Sequence, residues 1–368
     1  AYLTALESRE LAYANVIEHL RDMTEEGFIP NNSQGNGRQS WDRSQPPVGA
    51  IMVKEIYKKY PEKWFIAAVF DELYTWNRWW LKRRMHKGML CYGSHPAKNL
   101  FNDGNQNTHH GAALESGLDD SPMYEGVPFD TTLHLLLLHD VGLNSLYIAD
   151  CEALAEIANL IGRTTEAQQL IETATTLKKS IPTLWDAKSG IFLNKRTDNG
   201  QFVRRISPTS FYPFITGMVS KEQGQTMLKE YFYHPDEFWG EWILPSISRS
   251  DITFEQQAYW KGAVWAPLNF LTYLSLRKAG QTQAMHDLSR KSLNLFVKEW
   301  QEHNFVSENY SAESGTGDDP KINSDRFYAW GALMGVQALI EAGAMPATET
   351  ALIPLQTEIP KNKKSKKN

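Results

Sequence analysis

The chain is poor in cysteine, with two in 368 residues. Cys91 and Cys151 lack metal-site spacing and cannot form a disulfide framework, so they leave the redox compartment open. No apolar run approaches the roughly twenty residues that span a membrane. The longest, LHLLLLHDVGL, is interrupted by histidines and an aspartate. Formal charge is −5 and no basic stripe crosses the folded part, so nucleic acid is not an expected partner. Five lysines fall in the closing KNKKSKKN, which leaves residues 1–360 near −10. That tail reads as disordered and solubilising. The opening residues do not read as a signal peptide, and the start at Ala1 reads as a processed product or a fragment. No fixed-period repeat supports a TPR or HEAT array.

What the chain has is aromatic surface and helical periodicity. It carries 12 tryptophans, and their flat amphipathic faces suit interfaces and ring-shaped ligands. Apolar spacing predicts helices over 5–24, 48–59, 62–84, 130–162, 164–186, 208–217, 221–231, 257–278, 281–301 and 323–342. The stretch GIFLNKRTDNGQFVRRI alternates around an Asp-Asn-Gly turn, so a small β-hairpin is expected. Long loops at 27–47, 88–129, 232–256 and 302–322 recur after helix pairs, as if opening on one end of a helical scaffold. Loops of that length inside a compact domain are usually functional. The expectation is one all-α domain over 1–345 and a lysine-rich tail over 346–368.

Four segments concentrate chemistry: RQSWDRSQPPVG (38–49), ESGLDDSP (115–122), QQAYWKGAVWAPLN (256–269) and VSENYSAESGTGDD (306–319). A pyranose stacks its C–H faces on indole and offers hydroxyls to charged or amide groups. Tryptophan mixed with Asp, Arg, Gln and Lys suits that ligand. Hydrolysis of a glycosidic bond then needs two carboxyl groups, one held protonated and the other ionised. Competing readings are weaker. His109 and His110 are adjacent and lack a third ligand, so no metal is expected. TGDDP lacks the alternating acids of a calcium loop. Asp119-Asp120 has Met123 where a DDxxD diphosphate motif needs its third acid. Trp76, Trp79 and Trp80 share one helix and read as core.

ESGLDDSP resembles a segment of glycoside hydrolase family 63 and its bacterial relatives. WDRSQPP, SPTSFYP, FWGEWILPSISRSD, YWKGAVW, ENYSAESGTG and FYAWGAL follow in that family's order. The resemblance covers roughly residues 27–340. It implies an (α/α)6 toroid and inverting hydrolysis of an α-glycoside, as by an exo-acting α-glucosidase without metal or organic cofactor. Mannosylglycerate or glucosylglycerate hydrolases, trehalases and a non-catalytic glycan binder are the alternatives. It also implies Asp119 as general acid and Glu308 as general base. Trp41, Asp42, Arg43, Gln45, Glu115, Gly117, Trp260, Lys261 and Trp265 are then expected around the sugar. Asp120 stands where Asn is common in the motif, and Lys261 where Arg is frequent. Only about ten helices are read where six hairpins need twelve, which suggests a missing or unrecognised N-terminal pair.

Overall fold

The computed structural model describes residues 1–97 and 104–344. The expected tail over 346–368 lies outside them. Helical segments alternate between two layers. The inner layer contains α2 (Gly49–Lys59), α5 (Val141–Leu160), the 3-10 segment Pro208–Thr216, α8 (Ala266–Lys278) and α10 (Leu333–Glu341), each packed on the next in that order. Outside them lie α1 (Arg9–Arg21), α3 (Lys63–Arg84), α6 (Thr164–Lys178), α7 (Lys221–Met227) and α9 (Thr282–His303). A short α4 (His109–Glu115) belongs to the loop layer. This is the (α/α)6 toroid architecture, with five inner segments among the described residues.

Burial follows the layering. Nearly every residue of α5 is buried, because it packs on α2, α3, α6 and Pro208–Thr216. The outer α9 buries one stripe, through Ala284, Met285, Leu288, Ser292 and Leu295. A helix apolar all round belongs inside, and an amphipathic one belongs at the surface. One buried acid ties three helices together. Asp150 of α5 accepts hydrogen bonds from the Ala50 N–H at the start of α2 (2.8 Å) and from Asn77 of α3 (2.9 Å).

The helices hold the loops through a repeated device. Asn144, one turn into α5, receives the Leu90 N–H (2.8 Å) and donates to the Leu90 carbonyl (2.9 Å). Asn269, at the matching place in α8, does the same with Leu244 (2.5 and 3.0 Å). A side-chain amide carries both a donor and an acceptor, so it copies a strand's pairing from a helix.

Three predicted helices begin later than expected. At 130–140, Asp130 accepts from the Thr132 and Leu133 N–H groups, and the LHLLLL run pairs as short strands instead. α5 starts at Val141, where Asp140 caps it through the Leu143 N–H (2.8 Å). α8 starts at Ala266 rather than 257, because Gln257 and Tyr259 take positive φ and Gly262 lies at +119°. Residues 323–328 are loop, and α10 begins at Leu333. The Asp198-Asn199-Gly200 turn forms as expected. Its first strand, Lys195–Arg196, also pairs with Leu138–His139.

Candidate active site

The N-terminal ends of α2, α5, Pro208–Thr216 and α8, with the start of α10, surround a cavity of about 630 Å³. Val48, Leu146, Leu268, Leu271 and Leu333 give part of its lining an apolar character. Its lining also carries three carboxyl groups, Asp119, Asp140 and Glu308. Asn31, Asn32, Gln45, Tyr92, Tyr212, Tyr259, Trp260, Tyr328 and Trp330 complete the polar and aromatic lining.

ESGLDDSP divides its acids among three tasks. Glu115 ends α4 and points away from the cavity into the protein. It is fully buried, and Arg84 grips it through two hydrogen bonds of 2.6 Å, while the Ser44 and Gly93 N–H groups donate at 2.8 and 2.7 Å. Burial pushes its carboxyl up, and these donors oppose the rise. Gly117 then turns the chain at φ +71°, a conformation that favours glycine. Leu118 returns to the core, leaving Asp119 at the cavity.

Asp119 receives no hydrogen bond from another described side chain. Burial, and next the charge of Asp120, push its carboxyl up to about 6, with Arg43 pulling the other way. Asp120 is a tether. Its Oδ1 accepts the Trp260 N–H at 3.0 Å, and its Oδ2 lies 3.6 Å from Lys261 Nζ. One side chain therefore fixes the aromatic loop and biases its neighbour toward the protonated form.

Glu308 comes from the 302–322 loop. Its backbone N–H donates to Asp325 (2.8 Å) and its carbonyl accepts from Trp330 Nε1 (3.0 Å). The Tyr259 hydroxyl donates to its Oε1 at 3.4 Å. Burial raises the Glu308 carboxyl, and Asp119 adds a smaller rise, so the two acids sense each other across the cavity. Asp140 is different. The Leu143 N–H, the Tyr124 hydroxyl and Asn194 already occupy it, as befits a helix cap.

The loop from 254 to 265 is bent sharply. Tyr259 stands at φ +53°, and a Cβ on Gly262 would lie 2.5 Å from the Phe254 carbonyl. Stacking holds it: Trp260 lies on Trp265 at 3.8 Å and 9°, and Trp265 Nε1 donates to the Tyr259 carbonyl at 3.0 Å. Val264 exchanges two hydrogen bonds with Tyr310 (2.7 and 3.0 Å), which ties this loop to the one bearing Glu308.

Of the residues expected from the sequence, Asp119, Glu308, Gln45, Gly117 and Trp260 line the cavity. Six do not. Glu115 is locked to Arg84. Trp265 is fully buried beneath Trp260. Lys261 faces Asp120. Asp42 is buried, chelates Arg43 at 3.1 Å and accepts from Ser94 at 2.8 Å. Arg43 acts on Asp119 from that position. Trp41 lines a separate surface hollow with Phe28, Trp79 and His95. Residues missed by the reading are Tyr259, Tyr328, Trp330, Asn31, Asn32 and Asp140. The first three sit inside the motifs YWKGAVW and FYAWGAL. Among the described residues no group of three His, Cys, Asp or Glu is placed to hold a metal ion.

A helical toroid whose loops gather carboxyl groups and indoles around one cavity is the framework of the (α/α)6 carbohydrate-active proteins. Residues 3–331 match the model of the mannosylglycerate hydrolase MGH1-like glycoside hydrolase domain, and the chain belongs to that family. A mannosylglycerate hydrolase of Selaginella moellendorffii is 23% identical over 302 residues, 70% of this chain and 60% of its own length. A mannosylglycerate hydrolase of Thermus thermophilus is 22% identical over 312 residues, covering 70% and 69%. The chain thus spans about 60% of the plant relative. The structure of a family 63 mannosylglycerate hydrolase from Thermus thermophilus, in complex with glucose, superposes with a TM-score of 0.73 at 19% identity, covering 92% and 90% of the two chains. A neutral trehalase from Saccharomyces cerevisiae gives 0.68 at 20% identity, covering 92% and 70%.

Proposed function

We propose that the protein is an inverting, exo-acting α-glycosidase, with Asp119 as general acid and Glu308 as general base. The observation that carries this reading is the asymmetry of the two carboxyl groups at one cavity. Asp119, raised to about 6 without a side-chain hydrogen-bond partner among the described residues, keeps a proton into the mildly acidic range. Glu308 is fixed on a loop stapled by Trp330 and Tyr259. Asp119 would protonate the leaving oxygen while Glu308 takes a proton from a water on the opposite face of the sugar. Inversion requires roughly 6.5–9.5 Å between the two groups. Trp260 and Tyr259 offer faces for stacking, and Asn31, Asn32 and Gln45 offer amide contacts for hydroxyls. Asp120 and Arg43 set the charge around the acid without occupying the cavity.

A terminal α-glucoside of an oligosaccharide or small glycoside is the first substrate class. The family's mannosylglycerate hydrolases favour a second, a mannosyl- or glucosylglycerate, and the trehalase-like fold adds trehalose. The protein should be incubated with α-linked glucobioses, trehalose and mannosylglycerate while NMR follows the first anomer released. Release of the β-anomer supports the reading. Failure of the unit attacked by water to appear as the β-anomer overturns inversion, the leaving glucose of trehalose being α in either case, and saturable binding without product supports a glycan-binding relative.

A further inference from the structure

A second cavity lies at the opposite ends of the inner helices that frame the first. Its volume is about 90 Å³, and its lining includes Lys54 and Lys58 of α2, Glu152 and Glu156 of α5, and Arg277 of α8. The carboxylates here have close cationic partners. Lys58 meets Glu55 at 2.5 Å, Lys54 meets Glu156 at 2.6 Å, and Lys178 reaches in to Glu152. Arg277 does not share this arrangement. It is 4% exposed, and its Nε and Nη2 find no hydrogen-bond acceptor among the described residues. Each of the three lining carboxylates (Glu55, Glu152, Glu156) is thus matched by a lysine, which leaves the Arg277 charge in surplus.

Basic residues in the last turn of a helix complement its dipole, which accounts for the placing of Lys58, Arg277 and Lys278 without any ligand. It does not account for a guanidinium withdrawn from water with two donor nitrogens unmatched. Buried donors are normally satisfied, and an exception points to a bound water or ion. A guanidinium fork is suited to oxyanions. We propose that this cavity binds one small tetrahedral oxyanion of the phosphate class, held by Arg277 from α8 and Lys58 from α2. Donors converging from two helices suit an ion with oxygens on several sides. The space has room for the ion and not for a sugar or nucleoside beside it. Because α2, α5 and α8 also frame the carboxyl-lined cavity, the ion joins the ends of three helices that position that site. The assignment is independent of the glycosidase reading.

The test is calorimetric titration of the whole protein with inorganic phosphate at constant ionic strength, with chloride as the control. One saturable site is expected. Arg277→Gln and Lys58→Gln should each weaken it by about tenfold or more, the effect of losing a charged hydrogen bond. Circular dichroism checks the fold of both variants, and the less buried Lys58→Gln decides the matter if Arg277→Gln fails to fold. Absence of saturable binding, or binding unchanged in a folded variant, overturns the proposal. Acetate binding more tightly than phosphate overturns the tetrahedral assignment, and glycerol phosphate binding equally well overturns the restriction to a free ion.

Discussion

Replacing Asp120 by Asn isolates the contribution of a neighbouring charge to the proposed acid. Asn keeps an oxygen for the Trp260 N–H, so the tether at 3.0 Å survives. Only the negative charge and its pairing with Lys261 are lost. Asp119 rises from 3.8 to about 6, with burial the larger cause and Asp120 the second. Asp120 is the second cause of a net rise of roughly two units, so its removal should lower the Asp119 pKa by on the order of one unit, or about 1.4 kcal/mol. A general acid works while protonated, and activity falls as pH rises through its pKa. The basic limb of kcat/KM against pH should therefore move acidward by up to about one unit. At neutral pH the variant should lose up to about tenfold in kcat/KM, with little loss near pH 4. The assay is initial rates from pH 4 to 8 on the best substrate found in the panel. A limb that stays in place, or moves to higher pH, would refute the argument that Asp120 tunes its neighbour.

Asp119→Asn and Glu308→Gln should each lower turnover by about 10²–10⁴-fold with circular dichroism unchanged; an active Asp119→Asn enzyme would end the acid assignment. Because the folded pKa of Asp119 lies above its ordinary value, the native state binds the extra proton, and its contribution to stability falls as pH rises from about 4 through 6. At neutral pH this costs the wild type up to about 3 kcal/mol before solvent screening, so denaturant midpoints should drop less across that range in Asp119→Asn. Glu115→Ala leaves Arg84 charged and buried, and should destabilise the fold by about 3–5 kcal/mol in urea unfolding. A loss under about 1 kcal/mol would show that Glu115 is not the structural counter-ion described. Asn269→Ala should remove the clamp on Leu244 and cost about 1–3 kcal/mol, read from the same unfolding curves.

Much of this was legible in the chain. Helical periodicity in 62–84 and 281–301 placed α3 and α9 closely, because an outer helix buries one stripe and its spacing shows in the residues. The order of the motifs pointed to the toroid, and five of the expected site residues line one cavity. Periodicity failed where apolar runs were not helices. In LHLLLL, strand pairing with Lys195–Arg196 and the Asp130 turn outweighed helical propensity. At 257–265, stacking of Trp260 on Trp265 stabilises a backbone no helix adopts.

Residue type and local spacing thus carried the helices and the acid-rich loops, and the family resemblance carried Asp119 and Glu308 as candidates. They could not carry direction. Glu115 and Asp119 lie four positions apart in one loop, yet one is sealed against Arg84 and the other borders the cavity. That division depends on Arg84, Ser44 and Gly93 arriving from three other segments, and on a glycine turn between the two acids. Asp120 likewise read as a second charge beside the acid. Its role as the anchor of Trp260 arises from a contact across 140 positions of chain, which only packing creates.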